Sequence, residues 1–292
     1  MIFSVAHVTS YDYSRTVFLE PHAVRLLPRP DPALRVLEHA LRFAPEPAGQ
    51  ARGLDLWGNG FVQIWFNDMH QNLRIESTCR VQTLRTNPFD YFLTQAGQHL
   101  PVELTPVERA DLRSCLTRRY PASAPTDRDG EPDQVRLLAV NLATQANVSS
   151  VDFLLNLNRW IFEHVLRQER LEPGVLPPQR LLAEGVGSCR DLAVLFMEVC
   201  REAGIPARFV SGYQEGDPDL PEAELHAWAE AYLPGIGWRG YDPTHGLVVA
   251  DRHIPLAAAP EPEQTMPLTG SFRGTGAFST ITHTVRMTPE AD

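Results

Sequence analysis

From residue 2 to about residue 85, apolar and polar positions change over in short runs separated by turn residues. Val17-Phe18-Leu19, Ala23 to Leu27, Gly60 to Phe66 and Leu73 to Val81 each have a strand's length. In the last of these Leu73, Ile75, Ser77, Cys79 and Val81 alternate with polar partners, the period of a strand with one wetted face. Asp55-Leu56-Trp57-Gly58-Asn59-Gly60 is a turn signal between two such strands. Many short strands with frequent turns predict a β-sandwich-like unit.

The pattern then becomes helical. Thr105-Pro106-Val107-Glu108 offers a capping threonine, a proline at the first helical position and a glutamate three residues after the cap, so a short helix is expected to about Leu116. Tyr120 to Gly130 has the composition of a linker and divides the chain into expected domains at 1–120 and 121–292. Gln134 to Ala146 and Val151 to about Gln168 are expected helices, the second capped by Ser149 or Ser150. Pro173 to Pro178 breaks the pattern, and a further helix opening at Cys189 should end at Gly204, a C′ glycine followed by Pro206. Strands are expected around His226 and Asp242, and a late one from Phe278 to Met287. Helices followed by antiparallel strands make the second half α+β.

Three residues in that half have contexts suited to one reaction. Cys189 follows Gly185-Val186-Gly187-Ser188 and precedes the apolar stretch Leu192 to Val199, which places its sulfur at a helix N-terminus. There, unpaired backbone N–H groups and the helix dipole favour a thiolate. His226 lies in an alternating strand that sends His226, Trp228 and Glu230 to one face. Asp242 ends a second strand after the turn Pro234-Gly235-Ile236-Gly237, so the hairpin can bring a carboxylate beside the imidazole. Cys189 as nucleophile, His226 as base and Asp242 as orienting group predict a cysteine acyl-transfer site. Cys79, Cys115 and Cys200 are expected to be buried small hydrophobes. His245 is expected in the loop after the strand, pointing away from the nucleophile. Trp228 and Trp238 should be core or pocket wall, and Glu230 should pair with Arg190 or Arg208. Arg190 itself should meet either a carboxylate or a substrate.

At these residues the chain resembles the transglutaminase-like superfamily, a branch of the papain-fold enzymes. The matching blocks are Gly187-Ser188-Cys189-Arg190-Asp191-Leu192-Ala193, Ala203 to Tyr213, His226-Ala227-Trp228-Ala229-Glu230 and Asp242-Pro243-Thr244-His245-Gly246. The first half is similar to the amino-terminal domain that accompanies this core in bacteria, at His7 to Tyr13, Arg25 to Arg29 and Asp55 to Asn59. The resemblance implies a papain-like transglutaminase core, with a helix-start cysteine packed on an antiparallel sheet, preceded by a β-sandwich-like domain. It implies chemistry on an amide bond through a thioester, and it leaves open whether the enzyme is a peptidase or amidase, or instead transfers the acyl group to an amine. No D-x-[DN]-x-[DN]-G calcium loop is present, which disfavours a metal-activated cross-linker.

Composition narrows the partners. A net charge of −10, from 26 basic against 36 acidic residues, disfavours nucleic acid and anionic membrane and leaves a peptide or amide-bearing substrate. The opening residues Met1 to His7 have no basic or long apolar region of the secretory kind, and the four cysteines form no CxxC pair, so a reducing cytoplasm is the expected compartment. No cofactor and no metal is expected. Two rival classes remain: a metal hydrolase using Cys189, His226 and Asp242 or His245 as ligands, and a non-catalytic peptide-binding module. The amino-terminal domain could wall the cleft or mediate a homodimer.

Overall fold

The structure is a computed structural model that describes residues 1–120, 132–170, 172–216 and 225–290. Apart from Tyr120, the expected linker lies outside the described residues. The first third runs through β1 (Ile2–Leu19), β2 (His22–Val24), β3 (Leu34–Ala44), β4 (Gly49–Leu54), β5 (Gly60–Trp65) and β6 (Met69–Thr83). Three short helices follow: α1 (Gln95–Gln98), α2 (Pro106–Asp111) and α3 (Arg113–Leu116). The capping box at Thr105 and Glu108 forms as the sequence predicts. Two longer helices are α4 (Gln134–Gln145) and α5 (Ser150–His164), the latter capped by Ser149, whose hydroxyl accepts from Asp152 N–H. The α5 helix stops short of the expected Gln168, because β7 (Leu166–Arg167) leaves to pair in parallel with β8 (Val186–Gly187), after α6 (Pro178–Glu184).

Helix α7 (Cys189–Glu202) forms the centre of the second half. All residues from Asp191 to Arg201 are buried, the condition of a helix covered on every side. It ends at Ala203, and Gly204 takes φ +78°, as a C′ glycine does. One side of α7 meets α4, α5 and α6; the other lies on an antiparallel sheet. That sheet runs β12 (Leu247–Val248), β11 (Gly237–Asp242), β10 (Leu225–Leu233), β9 (Ala207–Gln214), β13 (His253–Ala259).

The late strand expected with the second half lies elsewhere. β16 (Ser279–Pro289) pairs with β1 from Phe3↔Pro289 to Tyr13↔Ser279. β15 (Phe272–Arg273) also pairs with β1, and β14 (Leu268–Thr269) pairs with β2. β16 is mostly exposed, with Val285 alone fully buried, so its pattern marks a strand without naming its partner. β1, β3, β6, β15 and β16 form one sheet and β2, β4, β5 and β14 another. Their shared core, around Phe3, Val17, Leu19, Ile64, Leu73 and Ile75, also takes in Tyr213, Ile254 and Leu256 from the sheet of the second half. The sandwich therefore packs against the β9–β13 end of that sheet.

Buried polar contacts lock this junction. The Asn59 amide, fully buried in the expected turn, accepts from Ala258 N–H at 2.8 Å and donates to Ala258 C=O at 3.0 Å. It thus pairs the outer backbone of β13 as a neighbouring strand would. His7 Nδ1 lies 3.0 Å from the Tyr213 hydroxyl in the same buried layer.

Asn59→Ala leaves a buried N–H and a buried C=O unpaired and should cost about 2–4 kcal/mol of stability. Urea unfolding checks this, and a loss within 0.5 kcal/mol, about the size of a surface substitution, would contradict the Asn59–Ala258 bridge.

Candidate active site

Cys189 opens α7 and is partly exposed, whereas Cys79, Cys115 and Cys200 are buried. Burial pushes the Cys79 thiol up to about 12 and raises those of Cys115 and Cys200. The first turn of α7 is held by Asp191, which is fully buried. Its carboxylate accepts from Ser188 N–H (2.8 Å), Ser188 Oγ–H (2.7 Å), Leu176 N–H (2.8 Å) and the Arg170 guanidinium (2.9 and 3.0 Å). A carboxylate in this position also suits the positive end of the helix. Arg190, for which the sequence leaves two roles open, takes neither. Its guanidinium donates to the carbonyls of Arg170, Glu172 and Gly174. Arg190 and Asp191 together clasp the segment before α6 against the start of the helix that carries Cys189.

His226 comes from β10, directly opposite Gly212 of β9. A side chain at residue 212 would collide with the Trp228 ring and the Ile254 carbonyl, so the glycine is what lets Trp228 lie flat behind His226. Glu230, the third residue on that face, pairs with Arg208 at 2.6 Å, which settles the choice between Arg190 and Arg208. Arg208 in turn lies 4.1 Å over the Trp238 ring. Tyr241, one residue before Asp242, stacks on Phe196 of α7 at 5.3 Å and anchors β11 to the helix. Asn158 of α5 donates to Leu247 C=O at 3.1 Å and steadies the strand just beyond the Asp242 loop.

Asp242 has no exposed surface and is the hub of the site. Its Oδ2 accepts from His226 Nε2–H at 2.9 Å, His245 Nδ1–H at 2.8 Å and His253 Nε2–H at 3.1 Å. Its Oδ1 accepts Thr244 N–H at 3.0 Å. With Nε2 spent on the carboxylate, Nδ1 is the nitrogen that His226 presents to Cys189, whose side chain is its other hydrogen-bond partner. Cys189, His226 and Asp242 are thus brought together in that order. His245 corrects the sequence expectation: its ring turns toward Asp242 and lies 5.1 Å from the His226 ring. His253 was not expected at all. It stands 11 residues beyond Asp242, on a strand that pairs with β9 and not with β11, and no local signal marks it.

The three histidines do not share one electrostatic state. Burial alone would lower the His226 pKa, but the charge and hydrogen bond of Asp242, with a contribution from Cys189, raise it to about 9. For His253 burial prevails over the Asp242 bond, and the pKa is lowered. Burial opposes ionisation of Asp242 as well, yet the His226 charge and the three imidazole bonds hold its carboxyl well below the usual carboxylate range. The site is therefore built to keep a buried carboxylate and a protonated His226 side by side. By proximity His226, Asp242 and His253 could hold a cation, their ligand atoms lying within 4.8 Å of one another. Such an ion would have to displace imidazole N–H bonds that all end on one carboxylate oxygen.

Comparison with known proteins agrees with this architecture. Residues 3–82 match the bacterial transglutaminase-like N-terminal region and residues 138–243 match the transglutaminase-like superfamily. The chain belongs to the transglutaminase-like superfamily, with the amino-terminal region typical of its bacterial members. A crystal structure from Cytophaga hutchinsonii, provisionally described as a cysteine protease, superimposes with a TM-score of 0.72 at 19% identity, covering 100% of this chain and 92% of that one. The fold is thus the papain-like transglutaminase core behind a β-rich amino-terminal unit. An uncharacterised protein of Mycobacterium leprae is 25% identical over 284 residues, 94% of each chain. A protein-glutamine gamma-glutamyltransferase of Pseudomonas aeruginosa is 39% identical over 66 residues, which are 20% of this chain and 10% of that protein.

Iodoacetamide applied to the folded protein should modify Cys189 ahead of the three buried thiols. Peptide mass mapping that found Cys79, Cys115 or Cys200 labelled first would contradict this burial pattern. The His226 pKa adds a pH dependence. Because folding raises it from 6.5 to about 9, its stabilisation is fully present below pH 6.5 and is lost as pH rises through about 9. Urea midpoints should fall across that window in the wild type and fall less in Asp242→Asn. Equal slopes would sink the assignment of Asp242 as the group that keeps His226 charged.

Proposed function

We propose that this protein is a cysteine-dependent acyl-transfer enzyme that acts on an amide bond through Cys189, His226 and Asp242, with water resolving the thioester. The observation that carries the reading is the buried His226–Asp242 pair at 2.9 Å, with Cys189, the one thiol that is not buried, as the other partner of the imidazole. The raised His226 pKa favours an imidazolium beside the sulfur, and a thiolate is the nucleophilic form of cysteine.

In the proposed reaction the Cys189 sulfur attacks the amide carbonyl and the backbone N–H of Cys189 at the helix start stabilises the oxyanion. Collapse of the tetrahedral intermediate expels the amine, which takes its proton from His226, and leaves an acyl–sulfur bond. His226, now neutral, takes a proton from water as the hydroxyl adds to the thioester, and Cys189 departs as thiolate with the acid released. Asp242 keeps the imidazole in one tautomer and balances its charge throughout. Peptides and amide-bearing small molecules are the substrate class. A second reading, transfer to an amine instead of water, is supported by the 66-residue similarity to the Pseudomonas aeruginosa enzyme.

Intact-protein mass spectrometry during incubation with peptide and glutamine amides should reveal an acyl adduct on Cys189. Cys189→Ala should abolish adduct and turnover. Cys200→Ala, far from the helix start, should keep turnover and lose about 1 kcal/mol of stability. Retained turnover in Cys189→Ala would sink the reading. Release of the adduct by water supports hydrolysis, and release only on addition of an amine establishes the transferase in its place.

A further inference from the structure

We propose that His253 is a positioning residue for Asp242, held in one tautomer and donating from Nε2 to the carboxylate. The inference rests on the triad reading above and adds to it a residue that reaches His226 only through Asp242.

Three observations carry it. The His253 Nε2–H bond to Asp242 Oδ2 is 3.1 Å long and lies in a fully buried setting, with the His253 side chain 2% exposed. The other nitrogen, Nδ1, is buried without a hydrogen-bond partner, and so is the Trp228 indole Nε1. Both residues line a small cleft, partly open to solvent, that Asp31, Arg85 and Glu230 also border. Their rings meet edge to face at 5.2 Å.

The chemistry of the two orphaned atoms is complementary. An indole N–H can only donate, and the Nδ1 of an imidazole protonated at Nε2 can only accept. In the opposite tautomer His253 would turn a lone pair toward the carboxylate and lose that bond. The lowered pKa of His253 agrees with a neutral ring. His226 and His253 then divide the labour on one oxygen: the first carries charge, the second only a hydrogen bond.

The role is a positioning one. The His226 and His253 ring centroids are 6.4 Å apart, and the carboxylate is what links them. Without the His253 donor, Asp242 keeps Thr244 N–H, His226 and His245 on one side and gains freedom to rotate away from the geometry that aims His226 Nδ1 at Cys189.

The test uses the full-length protein and p-nitrophenyl acetate, a small activated ester, with wild type, His253→Leu, His253→Gln and Cys189→Ala compared. His253→Leu should lower kcat about tenfold with KM nearly unchanged, the rate equivalent of one hydrogen bond to a charged group. His253→Gln, whose amide N–H can reach the same oxygen, should recover most of that loss. A glutamine variant as slow as the leucine variant would reduce His253 to packing and overturn the proposal. Nitrogen-15 NMR of the wild-type histidines at neutral pH decides the tautomer without any activity. His253 should be protonated at Nε2 and bare at Nδ1, and the reverse pattern overturns the proposal even where a variant fails to fold. Should Cys189→Ala hydrolyse the ester as fast as wild type, it is the triad reading that fails, while the NMR pattern still decides the His253–Asp242 bond.

Discussion

The organising constraint of this molecule is the burial of the Asp242 charge. A carboxylate removed from water is tolerated only where hydrogen bonds and opposite charge replace its hydration. Here four donors from one loop and two strands do so: Thr244 N–H and His245 from the loop, His226 from β10 and His253 from β13. The three imidazoles must all reach Oδ2 at hydrogen-bond distance, so the relative positions of β10, β11 and β13 are fixed by one residue. The orientation of the His226 ring, on which the candidate chemistry depends, follows from that convergence.

Asp191 and Glu198 of α7, like Asp242, have no exposed surface. Asp191 and Glu198 each tie a distant segment to the helix. Asp191 holds Arg170 and Leu176, and Glu198 accepts from Arg119 N–H, Tyr120 N–H and the Arg201 guanidinium. Arg201 extends the second network to the carbonyls of Ala207 and Pro260. An apolar helix surface can slide or rotate among near-equivalent packings, whereas a buried carboxylate accepts only the arrangement that satisfies it. These two anchors therefore specify where α7 sits, and with it the depth at which Cys189 meets the cleft.

What the sequence revealed of this site depended on distance along the chain. Cys189 was legible because a helix start is a local event, written in Gly187, Ser188 and the apolar run that follows. His226 and Asp242 were legible because a hairpin joins them through a short turn. His253 reaches the same oxygen only after β13 has crossed to the far side of β9, a pairing with no local signature. His245 was misjudged for a related reason: a three-residue offset within a turn can point a ring either way, and the hydrogen bond to Asp242 decides it. The fold shows the same division. Caps, turns and strand periods were readable from neighbouring residues, while the partner of the Phe278 to Met287 strand was set by the unpaired edge of β1 more than 260 residues earlier.

That last pairing bears on the order in which the molecule can be assembled during synthesis. β1 leaves the ribosome long before β16, yet most of one of its edges remains unpaired until Pro289 has emerged to lie beside Phe3. Closing a loop of that length early is entropically costly, and contacts so distant in sequence form late. The sheet that carries His226 and Asp242 draws its strands from residues 207–259 and is complete in the chain before β16 exists. Until β16 arrives the nascent chain thus exposes a long sheet margin, and the pairing of that strand both seals the margin and ends a period of vulnerability to aggregation.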